Sequence, residues 1–194
     1  MRQKLKSIGL LGLLLAACSA VSGPASPDGK ADMAASWSLA IHGGAFVKDP
    51  GLMTSKEEAD IETALGKALT AGSAVLRSGG KAVDAVDAAF IILEDAPQFN
   101  AGKGAVFNAL GVNELDASIM DGRNLQSGAV AGVKRVRNPN RAARLVMDRS
   151  RHVYLQGAGA DAFAKAEGLT LVDPSYFHTP RRWKQLQDLQ KGAR

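Results

Sequence analysis

Between residues 54 and 77 apolar side chains return every three or four positions. Ile61, Leu65, Ala68, Leu69, Gly72, Val75 and Leu76 thereby fall on one helical face. Thr54 followed by Glu57 is a capping-box pattern at the start, and Gly79-Gly80 marks the end. Val83, Val86, Phe90 and Leu93 repeat the spacing in a second predicted helix. Pro97 stops it, because proline has no N–H to donate and its ring clashes with the preceding turn. From Asn113 the period falls to two, with Leu115, Ala117 and Ile119 alternating with Glu114, Asp116 and Ser118. Asp121-Gly122 supplies a turn before the apolar run Ala129 to Val133. The pattern predicts a hairpin whose inner face of small residues suits close packing on another layer. Asn138-Pro139 reads as the cap and first position of a third helix, with Ala142, Leu145 and Val146 on one face; His152 to Gln156 reads as a returning strand. Upstream, Ser38 to Ile41 is a short apolar segment ended by Gly43-Gly44, which predicts a buried strand running into a tight turn. Two early helices, adjacent strands and later short helices predict a layered α+β fold.

The first residues change the picture of where this fold resides. Residues 1–17 carry Arg2, Lys4 and Lys6, no acidic residue, and then the apolar run Ile8 to Leu15, which is too short to cross a bilayer and reads as a secretory signal. Leu15-Ala16-Ala17-Cys18 resembles a bacterial lipoprotein box, which implies that Cys18 becomes the lipidated N-terminus; Ser19 then favours the outer membrane. The predicted location is the periplasm, with the membrane contacted through the lipid anchor only. An ordinary signal peptide with a chance cysteine is the alternative. Cys18 is the one cysteine of the chain, so no internal disulfide or thiolate metal cluster is expected. Residues 18–35, rich in Ala, Ser, Gly and Pro, read as a flexible tether.

Charge narrows the partners. Of 24 basic and 19 acidic residues, three basic ones and no acidic one lie in 1–17, which leaves +2 for the remainder. Arg181, Arg182, Lys184, Lys191 and Arg194 crowd the end of the chain against Asp188, in a polar stretch, 175–194, that reads as a solvated helix and the start of a linker. The body, 36–174, is then slightly acidic, which is a poor match to a phosphate backbone, and no nucleic acid is expected.

Several short motifs carry candidate chemistry. In His42-Gly43-Gly44 the glycines allow close backbone approach, and His42 is either a structural histidine bonded to backbone or a base. Phe99-Asn100-Ala101-Gly102-Lys103-Gly104 is too glycine-rich for a helix or strand interior and reads as a loop. Glu114 and Asp116 share a strand face, the arrangement of an acid/base pair, but also that of an ordinary solvated strand. Gly157-Ala158-Gly159-Ala160-Asp161-Ala162, with Asp173 downstream, matches a dinucleotide-binding pattern, although little chain follows to complete such a fold.

Taken in order, Ile41-His42-Gly43-Gly44-Ala45-Phe46, the stretch Phe99 to Asn108, the stretch Asn113 to Gly122 and the stretch Ser127 to Pro139 resemble the alpha subunit of plant-type L-asparaginases, which are also isoaspartyl peptidases. The resemblance runs from about Trp37 to Gln190, with one departure: Phe46 stands where the family has a further glycine. It implies half of a four-layer αββα sandwich of the N-terminal nucleophile hydrolase type, completed by a second, beta subunit released by self-cleavage. A dimer of alpha-beta heterodimers and poor solubility of this half alone are also implied. The family nucleophile is a threonine opening a Thr-Val-Gly-Ala-Val segment. None of the five threonines here has that context, so the nucleophile is expected downstream of Arg194 and no catalytic residue is assigned in this chain. The substrates implied are L-asparagine and beta-aspartyl dipeptides. His42, Gly43, Gly44 and Asn100 match residues that support the active site. The backbone carbonyls of Leu93, Glu94, Ala96, Phe99, Ala101 and Lys103 match a structural sodium site, and no organic cofactor is implied. A non-catalytic lipid-anchored remnant or binding protein, glycosylasparaginase, and a dinucleotide-binding module around Gly157 are the alternatives.

Overall fold

The structure, a computed structural model, describes residues 37–44 and 53–192. The predicted signal, the tether, Cys18, Phe46 and Arg194 lie outside them. Helix α1 (Ser55–Arg77) starts as the sequence predicts: Thr54 Oγ1 accepts the Glu57 N–H at 3.2 Å, and Glu57 Oε2 accepts the Thr54 N–H at 3.0 Å. Helix α2 (Ala82–Glu94) follows and packs against it. The seam is narrower than the periodicity suggests, because it is built from Ala64, Ala68 and Gly72 on α1 and Ala85 and Ala89 on α2. A methyl group on Gly72 would fall 2.7 Å from Leu39 Cδ2 and 3.0 Å from the Ala85 carbonyl oxygen, so glycine is what lets the two helices close. The longer predicted core residues are pushed off this seam. Leu69 is 36% and Phe90 41% exposed, which corrects their assignment to the buried faces.

Strands β1 (Leu115–Asp121) and β2 (Gln126–Val133) form the predicted antiparallel hairpin, with Asp121 opposite Gln126 and a bulge between Leu115 and Ala117. Leu115 and Ile119 point into the core and Ser118 and Met120 away, as the alternation requires. Helix α3 (Pro139–Arg149) crosses over to β3 (Tyr154–Gln156), which pairs parallel with β2 and completes a sheet of order β1-β2-β3. Gly128 sets the depth of α3 on this sheet, because any side chain there would run into the Ala143 carbonyl and the backbone of Met147. Helix α4 (Gly157–Ala166), a 3-10 turn at Pro174–Phe177 and helix α5 (Pro180–Gly192) end the described chain.

Two buried clusters result. One joins Val130, Val133, Val146 and Phe177 around the sheet and includes Val83 of α2; the other joins Ala68, Ala89, Leu93 and Phe99. Ser38 to Ile41 does not form the predicted strand: among the described residues no strand pairs with it, and without a ladder the extended chain has no sheet bonds. The fold is therefore α+β with one small sheet among the described residues. No described helix is long and apolar enough to cross a membrane.

Candidate functional site

The chain leaving α2 turns back on itself before the sheet begins. Gly102, at φ 46°, is pressed against the Glu94 carbonyl so closely that a Cβ would overlap it, and a Cβ on Gly104 would overlap the Phe99 carbonyl and lie 2.8 Å from that of Pro97. A positive φ and this proximity both demand glycine, and together they draw Glu94, Pro97 and Phe99 carbonyls around one small loop. Asn100 Oδ1 accepts the Val106 N–H at 2.9 Å and so closes the loop from the far side. Asn113, fully enclosed, donates through Nδ2 to the carbonyls of Ala105 at 3.1 Å and Val106 at 3.0 Å. Asn108 Oδ1 accepts from Leu110 and Val112, which stiffens the turn that follows.

The segment Leu39 to Gly44 runs beside this loop. His42 Nδ1 accepts the Gly44 N–H at 3.2 Å, which leaves Nε2 as the ring's remaining hydrogen-bonding atom. Gly43 lies against the Phe99 ring, where a Cβ would be 3.2 Å from it. Between the two segments is a groove of about 310 Å³ whose lining includes His42, Gly43, Gly44, Asn100, Phe90 and Phe99. The four residues singled out as supporting an active site are thus brought together, and Leu93, Phe99 and Ala101 of the candidate sodium set line the same groove.

Glu94, taken from the sequence only for its carbonyl, has a second part to play. Its buried carboxylate accepts the Asn140 N–H at 2.8 Å and caps α3, where Asn138 stands at the cap position without a side-chain capping bond. Burial raises the Glu94 pKa to about 7, against the lowering effect of this bond. Next to it, Asp95 is gripped by Arg137 through Nε at 3.2 Å and Nη2 at 2.9 Å and accepts the Tyr176 O–H at 3.0 Å. Burial pushes its pKa up, but the bonds from Arg137 and Tyr176 outweigh it and hold the carboxyl below the usual range. Lys103 lies over the Tyr176 ring at 5.5 Å from its centre.

The polar tail corrects the sequence reading most clearly. Arg181 and Arg182 are not merely solvated: Arg181 Nη2 donates to the carbonyls of Pro97 at 3.2 Å and Gln98 at 2.9 Å, and Arg182 Nε to that of Gly104 at 2.8 Å. A basic stretch gives no sequence signal for which carbonyls it meets. Glu114 accepts from Asn108 at 2.9 Å and pairs with Lys134 at 3.1 Å, while Asp116 Oδ1 accepts the Gly132 N–H at 2.8 Å, so both tie down the base of the hairpin. Gly157 follows β3 and opens α4, but the concavity there is lined by Glu114 and Asp161 as well as Lys134, and Asp161 accepts from the Lys134 and Arg135 amides. Among the described residues no group of three or more His, Cys, Asp or Glu is placed to hold a metal.

A family model described as asparaginase matches residues 35–194. The isoaspartyl peptidase of Salmonella typhimurium is 47% identical over 148 residues, 76% of this chain and 47% of that protein. The isoaspartyl peptidase of Escherichia coli is 45% identical over 153 residues, 79% of this chain and 48% of that protein. The isoaspartyl peptidase/L-asparaginase of Homo sapiens is 41% identical over 157 residues, 80% of this chain and 50% of that protein. The chain spans about half the length of these relatives. With the family model matched from residue 35 onward and these identities carried across most of the chain, the chain belongs to the isoaspartyl peptidase/L-asparaginase family.

Proposed function

We propose that this chain is the alpha-subunit part of a hydrolase that cleaves the side-chain amide of L-asparagine and the isoaspartyl bond of beta-aspartyl dipeptides. The observation that carries the reading is the convergence of His42-Gly43-Gly44 and Asn100 on one groove in a chain of this family. In this reading a threonine on a downstream segment attacks the side-chain carbonyl, with its own amine as base. Ammonia or the amino-acid leaving group departs, and water then hydrolyses the acyl-enzyme. The present chain supplies no nucleophile; it supplies the wall against which that threonine is held, with the beta subunit completing an αββα sandwich on the sheet and two such heterodimers pairing.

The loop also suits a structural sodium ion. Hard monovalent cations take oxygen donors, and the cradle that Gly102 and Gly104 keep free of side chains gathers carbonyls rather than carboxylates. The carbonyls of Leu93, Glu94, Ala96, Phe99, Ala101 and Lys103 would hold it, and the ion would supply fixed positive charge that ties the loop together. Residues 1–18 support a periplasmic location with lipid attached at Cys18.

The test begins with the coding sequence beyond Arg194. A Thr-Val-Gly-Ala-Val segment there, followed by self-cleavage of the complete product and release of aspartate from L-asparagine and a beta-aspartyl dipeptide, is the expected result. Loss of both activities when that threonine becomes alanine completes it. A complete product that folds but hydrolyses neither compound defeats the reading in favour of a non-catalytic remnant or binding protein.

A further inference from the structure

Helix α5 is docked on the glycine loop rather than standing in solvent. Besides the two arginines, Gln190 Nε2 donates to the Ala109 carbonyl at 3.3 Å, Leu186 is buried, and Trp183 lies edge-on to Phe107 with ring centres 5.2 Å apart. The carbonyls that the arginines take are those of Pro97, Gln98 and Gly104. None of these is among the six assigned above to the cation. One loop therefore divides its carbonyls between α5 and the proposed ion.

Peptide planarity makes the two sets interdependent, because an oxygen held on one side of a plane fixes the N–H on the other. The plane whose oxygen belongs to Gln98 carries the Phe99 N–H, which points to the Ala96 carbonyl at 3.5 Å. The plane whose oxygen belongs to Gly104 carries the Ala105 N–H, which donates to the Gly102 carbonyl at 3.1 Å. Each arginine thus holds a peptide plane that also closes the loop from within. Guanidinium is suited to this because its donors are fixed in one plane and it stays charged when partly withdrawn from water.

We propose that α5 is a strap that sets the geometry of the glycine loop. Arg181 and Arg182 are positioning residues for its carbonyl cage, so that undocking the strap loosens the loop and weakens its hold on a monovalent cation. The cation half of this inference rests on the sodium reading above; the strap half does not.

The experiment is hydrogen exchange on the full chain as wild type, as Arg181→Ala/Arg182→Ala and as Arg182→Lys, with sodium chloride titrated against choline chloride at constant ionic strength. In the double variant amides of residues 99–107 should exchange roughly tenfold faster while those of β2 and α3 keep their rates. The sodium concentration that half-protects the loop should rise roughly tenfold, with Arg182→Lys in between because an ammonium keeps the charge but not the planar fork. Unchanged exchange at 99–107 overturns the strap. A loosened loop with an unmoved sodium half-point overturns the coupling to the cation. A wild-type loop indifferent to sodium sinks the sodium reading and the coupling with it, and the strap is then decided by the exchange of 99–107 alone. Should the double variant lose protection throughout β2 and α3, Arg182→Lys decides: wild-type exchange at 99–107 in that variant overturns the proposal.

Discussion

The carboxylate of Glu94 at the end of α2 accepts the backbone N–H of Asn140 in the first turn of α3 at 2.8 Å, so the last residue of one helix caps the start of another 46 positions away. Its other oxygen, Oε2, has no hydrogen-bond partner among the described residues. Glu94→Ala leaves the buried Asn140 amide without an acceptor and should cost about 3 kcal/mol in urea unfolding. Glu94→Gln keeps an acceptor and removes a buried charge, and should stay within about 1 kcal/mol of wild type. Equal losses in the two variants would show that the charge, not the bond, is what α3 requires.

Asp121 closes β1, where the Arg123 side chain and then its backbone N–H, at 3.0 Å, lower the carboxyl pKa from 3.8 to about 2. A lowered folded-state value contributes stability above the unfolded value, and that contribution is lost as pH falls through the folded one. The urea midpoints of wild type and Asp121→Asn should therefore differ at about pH 5 and draw together between pH 3.8 and about 2. A gap that stays constant over that window would deny the coupling to Arg123.

Two glycines should respond in opposite directions. Gly128→Ala drives a methyl group into the Ala143 carbonyl and should destabilise by about 3 kcal/mol, because helix and strand must separate. Gly66 is exposed in the middle of α1, and a methyl group there would meet nothing within 4 Å. It should tolerate alanine and gain about 0.5–1 kcal/mol from reduced backbone freedom in the unfolded chain. Thermal unfolding of the two variants checks both signs.

Leu69 and Phe90 lie at the rim of the α1–α2 seam, exposed by 36% and 41%. Leu69→Ala and Phe90→Ala should each change the stability of this chain by less than about 1 kcal/mol, whereas Val146→Ala, fully buried under the sheet, should cost about 2 kcal/mol. If the rim residues prove as costly as Val146 when the complete product is measured, they are buried there by the remainder of the protein.

How much of this could be read from the sequence depended on the range of the interaction. Periodicity and local capping located α1, α2, the hairpin and α3, because those signals come from near neighbours, three or four residues apart in the helices and two apart in the strands. The predicted α1 face contains Ala68 and Gly72, which do form the seam, but it is too wide, because close helix packing selects alanine and glycine and a hydrophobicity pattern overvalues Leu69 and Phe90 beside them. Ser38 to Ile41 has the composition of a strand, but pairing is a property of two segments and no described strand lies alongside it. The groove was legible in its glycines and in Asn100; Glu94 as a cap, Asn113 as a brace and the arginine grip from α5 were not, since each joins residues whose approach only the folded chain creates.

Helix α2 is thirteen residues long, about 20 Å, with Val83 set among the sheet residues and Leu93 set beside the glycine loop. One helix is thus common property of the two clusters, and Val86, packed against the sheet cluster, also lines the groove, so the wall of the groove and the support of the sheet are a single rigid element.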